Sequence, residues 1–163
     1  MRLHAAPGLT HILKTDDDSY VNLPTLVRLL RVLPTRSLYA GADIGAGSQV
    51  LTQGKNAESA ALHTLLGGRF PSYMSGAGYL LSADVAGVVS APAPLRRWVN
   101  NEDAAVGLQL LPFNITRIRL SRLIFANGIP TGRCFNPKVV LLVHYASAAY
   151  MQACPASNGG LVY

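Results

Sequence analysis

The chain has 163 residues, with 14 Lys plus Arg against 8 Asp plus Glu, a formal charge of +6, and 50% hydrophobic but only 13% charged residues. That length suits one domain able to bury a core, and the low charge fraction with a mean hydropathy of +0.26 excludes a disordered chain. Its 15 Gly and 10 Pro are too few and too scattered for a collagenous or low-complexity sequence. No apolar run approaches the length of a membrane span, and the first twelve residues lack the charged-then-apolar order of a signal peptide, so no anchor or address is expected in the chain as written.

All eight acidic residues lie at or before Asp103, leaving Arg117, Arg119, Arg122, Arg133 and Lys138 unopposed, so the second half favours anions. These cations are sparse and not interleaved with aromatics, which reads as solvated arginines and no nucleic-acid partner. Cys134 and Cys154 are compatible with one disulfide or with two thiols.

In chain order, residues 8 to 14 form a short apolar strand running into Asp16, Asp17 and Asp18. Asn22 can cap an amphipathic helix of about three turns carrying Leu26, Leu29, Leu30 and Leu33, closed by Pro34. Leu38 to Ile44 reads as a buried strand and Gly45 to Lys55 as a loop. After Phe70-Pro71-Ser72-Tyr73, the small residues of Met74 to Ser82 allow close backbone approach within an apolar strand, and a short helix from Ala83 to Ser90 ends before Pro92 and Pro94. Asn101-Glu102-Asp103 opens a helix through Leu110, with its acids in the first turn. Ile115 to Leu120 alternates as a half-exposed strand, and Val139 to Val143 forms a last apolar strand that delivers His144. Without a repeat or a domain boundary, the interleaved elements suggest a single α/β layer structure.

Three adjacent carboxylates repel one another unless a cation or donors compensate. In an extended segment Asp16 and Asp18 would share one face, opposite Asp17, which suits a hard divalent ion such as Mn²⁺ or Mg²⁺; a solvated acidic turn is the other reading. Asp103 reads either as a helix cap or as a second acidic site. His144, at a strand end, is either a core histidine or an imidazole completing a site begun by Asp18.

Three strings stand in order: Leu13-Lys14-Thr15-Asp16-Asp17-Asp18-Ser19-Tyr20-Val21-Asn22, Phe70 through Ser82, and Glu102-Asp103-Ala104-Ala105-Val106-Gly107. Together they resemble the β-1,3-galactosyltransferase family, glycosyltransferase family 31, and Leu142-Val143-His144 with downstream Met151 is similar to its late Val-His segment. The resemblance covers roughly residues 10 to 152. It implies an α/β GT-A type fold and a hexosyltransferase that moves galactose or an N-acetylhexosamine from a UDP-sugar donor to a glycan, glycoprotein or glycolipid hydroxyl. The transfer would form a β-1,3 linkage with inversion and Mn²⁺ as cofactor.

By the same resemblance Asp18 and His144 are the metal ligands and Asp103 is the catalytic base. Asp16, Asp17, Glu102, Gly76, Ala77, Gly78 and Tyr79 would hold the nucleotide sugar. The location implied is the lumenal side of the Golgi membrane, with any membrane attachment through a segment absent from this chain. Met74 stands where relatives carry Cys, Ala77 where they carry Gly, and Ala104 and Ala105 where they carry bulkier residues, which is expected to loosen local packing. Only 15 residues precede Asp16, so the chain, 1–163, reads as a single partial catalytic domain truncated at its N-terminus. The early nucleotide-binding strands are missing on this reading, and open edges, weak stability and association are expected. The alternative is a remnant of the fold that binds glycan or a protein partner without turnover. Asn114-Ile115-Thr116 is an N-glycosylation sequon, meaningful only in the secretory pathway.

Overall fold

The computed structural model describes residues 8–92, 98–125, 140–147, 150 and 152. Its main sheet has the order β1 (His11–Thr15), β4 (Met74–Ser82), β3 (Leu38–Asp43), β5 (Thr116–Arg119). β4 is antiparallel to both neighbours, whereas β3 and β5 run parallel. A smaller sheet has the order β2 (Tyr20–Val21), β7 (Leu142–Val143), β6 (Ile124–Phe125). The chain is therefore α/β as expected, with a mixed sheet, and the second sheet is an addition to the single layer read from the sequence.

Strand alternation distributes the core to both faces of the main sheet. Leu38, Ala40, Ala42, Ala77 and Leu80 pack with Leu26 of helix α1 (Leu23–Leu30) and with Leu141 and Leu142 beside the small sheet. Tyr39, Tyr79 and Leu81 point the other way, against Val85 and Ala86 of α3 (Ala83–Ser90) and Val106 of α4 (Glu102–Gln109). Met74 is 1% exposed within this second cluster and fills space where a smaller side chain would leave a gap. Helix α2 (Ala60–Leu65), capped by Ser59, belongs to a third cluster in which Val50, Leu62, Phe70 and Tyr73 meet Ala104 and Ala105.

One helix is shorter than expected. Helix α1 is eight residues long and not three turns, because Val32 and Leu33 both donate to the Leu29 carbonyl in a tightening turn, and a residue before proline avoids the α region. The short strands β2 and β6 and helix α2 were not expected at all. Pro94, Cys134, Val139, Met151 and Cys154 lie outside the described residues.

Glycines set the closest approaches. A side chain on Gly78 would collide with Leu142, so this bare position lets the small sheet press on the large one beside residue 144. On Gly107, a Cβ would stand 2.5 Å from the Tyr73 Cβ. With Ala104 1% exposed, α4 thus lies close against the loop before β4, in place of the looser packing expected.

Candidate active site

Strand β1 leaves the sheet at Thr15, whose hydroxyl donates to the Ala77 carbonyl at 2.9 Å, and Ser19 Oγ donates to the same oxygen at 2.9 Å. Between these two anchors the Ser19 amide donates to the Asp16 carbonyl at 3.2 Å and closes a turn. Asp16 and Asp18 are therefore brought together by a turn and not, as expected, by an extended segment, and Asp17 is exposed.

His144 arrives from the small sheet. Asn22 binds that strand twice, its amide N–H to the Leu141 carbonyl at 2.9 Å and its side-chain Nδ2 to the Val140 carbonyl at 3.1 Å, while its Oδ1 caps α1. The Ala146 amide donates to the Asp18 carbonyl at 2.8 Å, which pins the segment after His144 to the acidic turn. His144 Nε2 consequently stands 3.2 Å from Asp18 Oδ1 and 3.4 Å from Asp16 Oδ2, and the ring stacks on Tyr145 with centroids 3.8 Å apart.

These three side chains can offer donor atoms all within 4.8 Å of one another. Asp18 Oδ1 is buried and has no hydrogen-bond donor, although its residue is partly exposed. A buried carboxylate oxygen without a donor is costly, and a cation is the partner that removes the cost. Two adjacent ligands at about 2.1 Å from one octahedral ion stand about 3.0 Å apart, close to the Asp18–His144 spacing. The residues present therefore fit a divalent ion.

A second acidic group lies across Lys14. Its ammonium donates to Asp16 Oδ1 at 2.7 Å and to the Gly76 carbonyl at 3.2 Å, pairs with Glu102 Oε1 at 2.9 Å, and reaches Asp103 Oδ1 at 3.5 Å. Burial lowers the lysine's proton affinity, but hydrogen bonds to Asp16 and Glu102 and the charge of Asp103 outweigh it, so Lys14 is held well above the usual lysine range. Three carboxylates, Asp16, Glu102 and Asp103, thus share the Lys14 ammonium, while Asp18 pairs with His144 among the described ion pairs. Lys14 was quoted within the acidic string but given no role; its place one alternation before Asp16, on a strand otherwise of apolar and neutral residues, was the available signal.

Helix α4 presents Asp103. Asn101 Oδ1 accepts from the Ala104 amide at 3.1 Å, and the buried Glu58 carboxylate accepts from the Asn100 and Asn101 amides, both at 2.8 Å. Glu58, which the sequence reading passed over, is thus the clamp that fixes the start of α4. Glu58→Gln keeps one acceptor and sets an amide N–H against the other backbone donor; a loss of about 1–3 kcal/mol is expected in urea unfolding, with a lower midpoint and an unchanged slope.

Asp103 packs on bare backbone. A Cβ on Gly76 collides with the Asp103 carboxylate, so glycine lets this side chain lie against β4. Gly76→Ala is expected to displace that carboxylate and to lower any activity that depends on it by about 10²-fold. Glu58 holds the Asn100 and Asn101 amides and is untouched, so the urea midpoint should move far less than in Glu58→Gln. Burial raises the Asp103 pKa above the ordinary carboxylate range; Lys14 opposes the shift, while Glu102 and Asp16 add to it. Of the other residues read as holding the nucleotide sugar, Ala77 offers its carbonyl to Thr15 and Ser19, Gly78 faces Leu142, and Tyr79 is buried with the Lys14 ammonium 5.7 Å from its ring centre. Asp17 is not brought to either acidic group.

The family model described as "Galactosyltransferase" matches residues 2–121. Human beta-1,3-galactosyltransferase 4 is similar at 28% identity over 185 aligned positions, covering 94% of this chain and 48% of that protein. Mouse beta-1,3-galactosyltransferase 5 is 27% identical over 139 positions, 84% and 45% of the two chains. Mouse UDP-GlcNAc:betaGal beta-1,3-N-acetylglucosaminyltransferase 8 is 32% identical over 91 positions, 51% and 22%. The chain spans less than half the length of these relatives. No helix among the described residues is long and apolar enough to cross a membrane.

Proposed function

The chain belongs to the galactosyltransferase family, and we propose that it transfers a hexose, galactose or an N-acetylhexosamine, from a UDP-sugar to a glycan hydroxyl in a β-1,3 linkage with inversion. The observation that carries this reading is the pair of acidic groups joined by Lys14: one of them converges with His144 on a cation-sized gap, the other ends in the half-buried carboxylate of Asp103. Inverting transfer is a single displacement, which requires a base on the acceptor side and charge stabilisation on the opposite, leaving-group side. Two acidic groups with separate partners meet that requirement.

In this reading Asp18 and His144, with Asp16 beside them, would hold Mn²⁺, and Mg²⁺ is the alternative ion. When bound, the ion supplies Lewis-acid stabilisation of the charge that develops on the departing diphosphate. Asp103 accepts the proton of the attacking acceptor hydroxyl, and its raised pKa makes it a stronger base than a solvated aspartate. Lys14 keeps the mutual repulsion of Asp16 and Asp103 in check and fixes the distance between the two halves of the site. Gly76, Ala77, Gly78 and Tyr79 form the strand floor between them, and Glu102 stands beside Asp103 against Lys14. The GT-A type of fold and a lumenal Golgi location belong to the same proposal.

The test is UDP release from UDP-galactose or UDP-N-acetylglucosamine with Mn²⁺ and a panel of sugar acceptors, followed by proton NMR of the product. Acceptor-dependent release with a β-1,3 linkage is expected. Release no faster than that of the Asp103→Asn variant means binding without turnover and overturns the catalytic reading.

A further inference from the structure

The sequon that the site does not use lies at the opposite edge of the main sheet. Asn114 follows α4 and precedes β5, which among the described residues pairs only with β3, whereas the acidic turn leaves from β1 at the other edge. Three strand spacings separate the edges, about 14 Å. The Ile115 amide donates to the Phe113 carbonyl at 2.9 Å, so Asn114 forms the apex of a three-residue turn. Asn114 and Thr116 are both exposed, while Ile115 between them packs against the core cluster of Tyr39 and Leu110. The hydroxyl at the third position thus shares the outer side with the asparagine amide. Beside them Leu111 and Phe113 are 49% and 48% exposed, an apolar pair next to a strand edge that is unpaired among the described residues. Such an edge invites association unless it is covered.

We propose that Asn114 is an N-glycosylation site, and that its glycan covers the β5 edge and the Leu111–Phe113 patch without obstructing the acidic groups. The inference rests on the lumenal reading above. In the step, Asn114 Nδ2 loses one proton and bonds to the anomeric carbon of an oligosaccharide. The C–O bond to the lipid diphosphate breaks, and that carrier leaves with the bonding electron pair and is balanced by the released proton.

The experiment uses the full chain in membranes of the cells that make it. Protease digestion of sealed vesicles reports the side of the membrane, and peptide-N-glycosidase followed by mass spectrometry reports conversion of Asn114 to aspartate. A protected chain with glycosidase-dependent conversion at Asn114 is expected. Conversion should be lost in Thr116→Ala and retained in Thr116→Ser, and Asn114→Gln should shift the chain toward larger species in size-exclusion chromatography. A protected chain whose Asn114 is unmodified overturns the proposal and leaves the lumenal reading standing. A chain digested from outside and unmodified overturns both.

Discussion

Asp103→Asn is expected to lower kcat for transfer by about 10²–10⁴-fold, the contribution of a positioned general base, while donor binding changes little. The replacement is isosteric, so the close seat on Gly76 is kept, and the amide cannot accept the acceptor's proton. Loss of one negative charge from a group of three carboxylates around one ammonium relieves repulsion, so the variant should fold at least as well as the parent. Lost rate with kept stability separates a base from a structural cap. The pH dependence follows from the same carboxyl. A base must be deprotonated, and burial raises this one, so the rate should climb with pH through a value above the ordinary carboxylate range and lose that limb in the variant. For stability, the folded state holds this proton more tightly than the unfolded state. Asp103's contribution is therefore fully present below the unfolded carboxyl pKa and is lost as pH rises through the higher folded one.

The second large effect is on cation binding. In the parent chain, Mn²⁺ at a hundredfold excess over its Kd should stabilise the fold by about 2.7 kcal/mol, read as an upward shift in thermal midpoint. Asp18→Asn and His144→Ala should each abolish most of that shift and the Mn²⁺-dependent rate. They should differ from one another without metal. Asp18→Asn removes a carboxylate whose buried Oδ1 accepts no hydrogen bond but lies 3.2 Å from His144 Nε2, two effects that offset, so it should change the stability of the metal-free fold by less than about 1 kcal/mol. His144→Ala takes away the ring that packs on Tyr145 and faces both aspartates, so it should destabilise the metal-free chain by more. Unequal effects without the ion and the same loss with it identify shared ligation. Equal Mn²⁺ shifts in all three chains would refute it.

What the sequence made legible was whatever repeats locally. The apolar run of the buried strand from Leu38 and the capping of α1 by Asn22 and of α4 by Asn101 are written in neighbouring residues, and these elements begin where they were expected. The order of the acidic string, the small-residue strand and the Glu-Asp pair pointed to the family before any geometry was available. What stayed hidden depends on contacts across long separations. β2 and β6 have two residues each, too short to carry a period, and are defined by their partners. Lys14 meets Asp103 across 89 residues, and Glu58 meets Asn101 across 43, so neither role has a local signature. Gly76 was noted as small, but the reason for its size, the Asp103 carboxylate resting on it, belongs to tertiary packing alone.

The central proposition is that Asp18 and His144 share one ion. The most direct measurement is an anomalous difference map from crystals of the chain grown with Mn²⁺ and UDP. One peak bonded to Asp18 and to His144 Nε2, with Asp103 outside its coordination shell, is the predicted result. A peak lodged at Asp103 and Glu102, or none at the acidic turn with UDP bound, would contradict it.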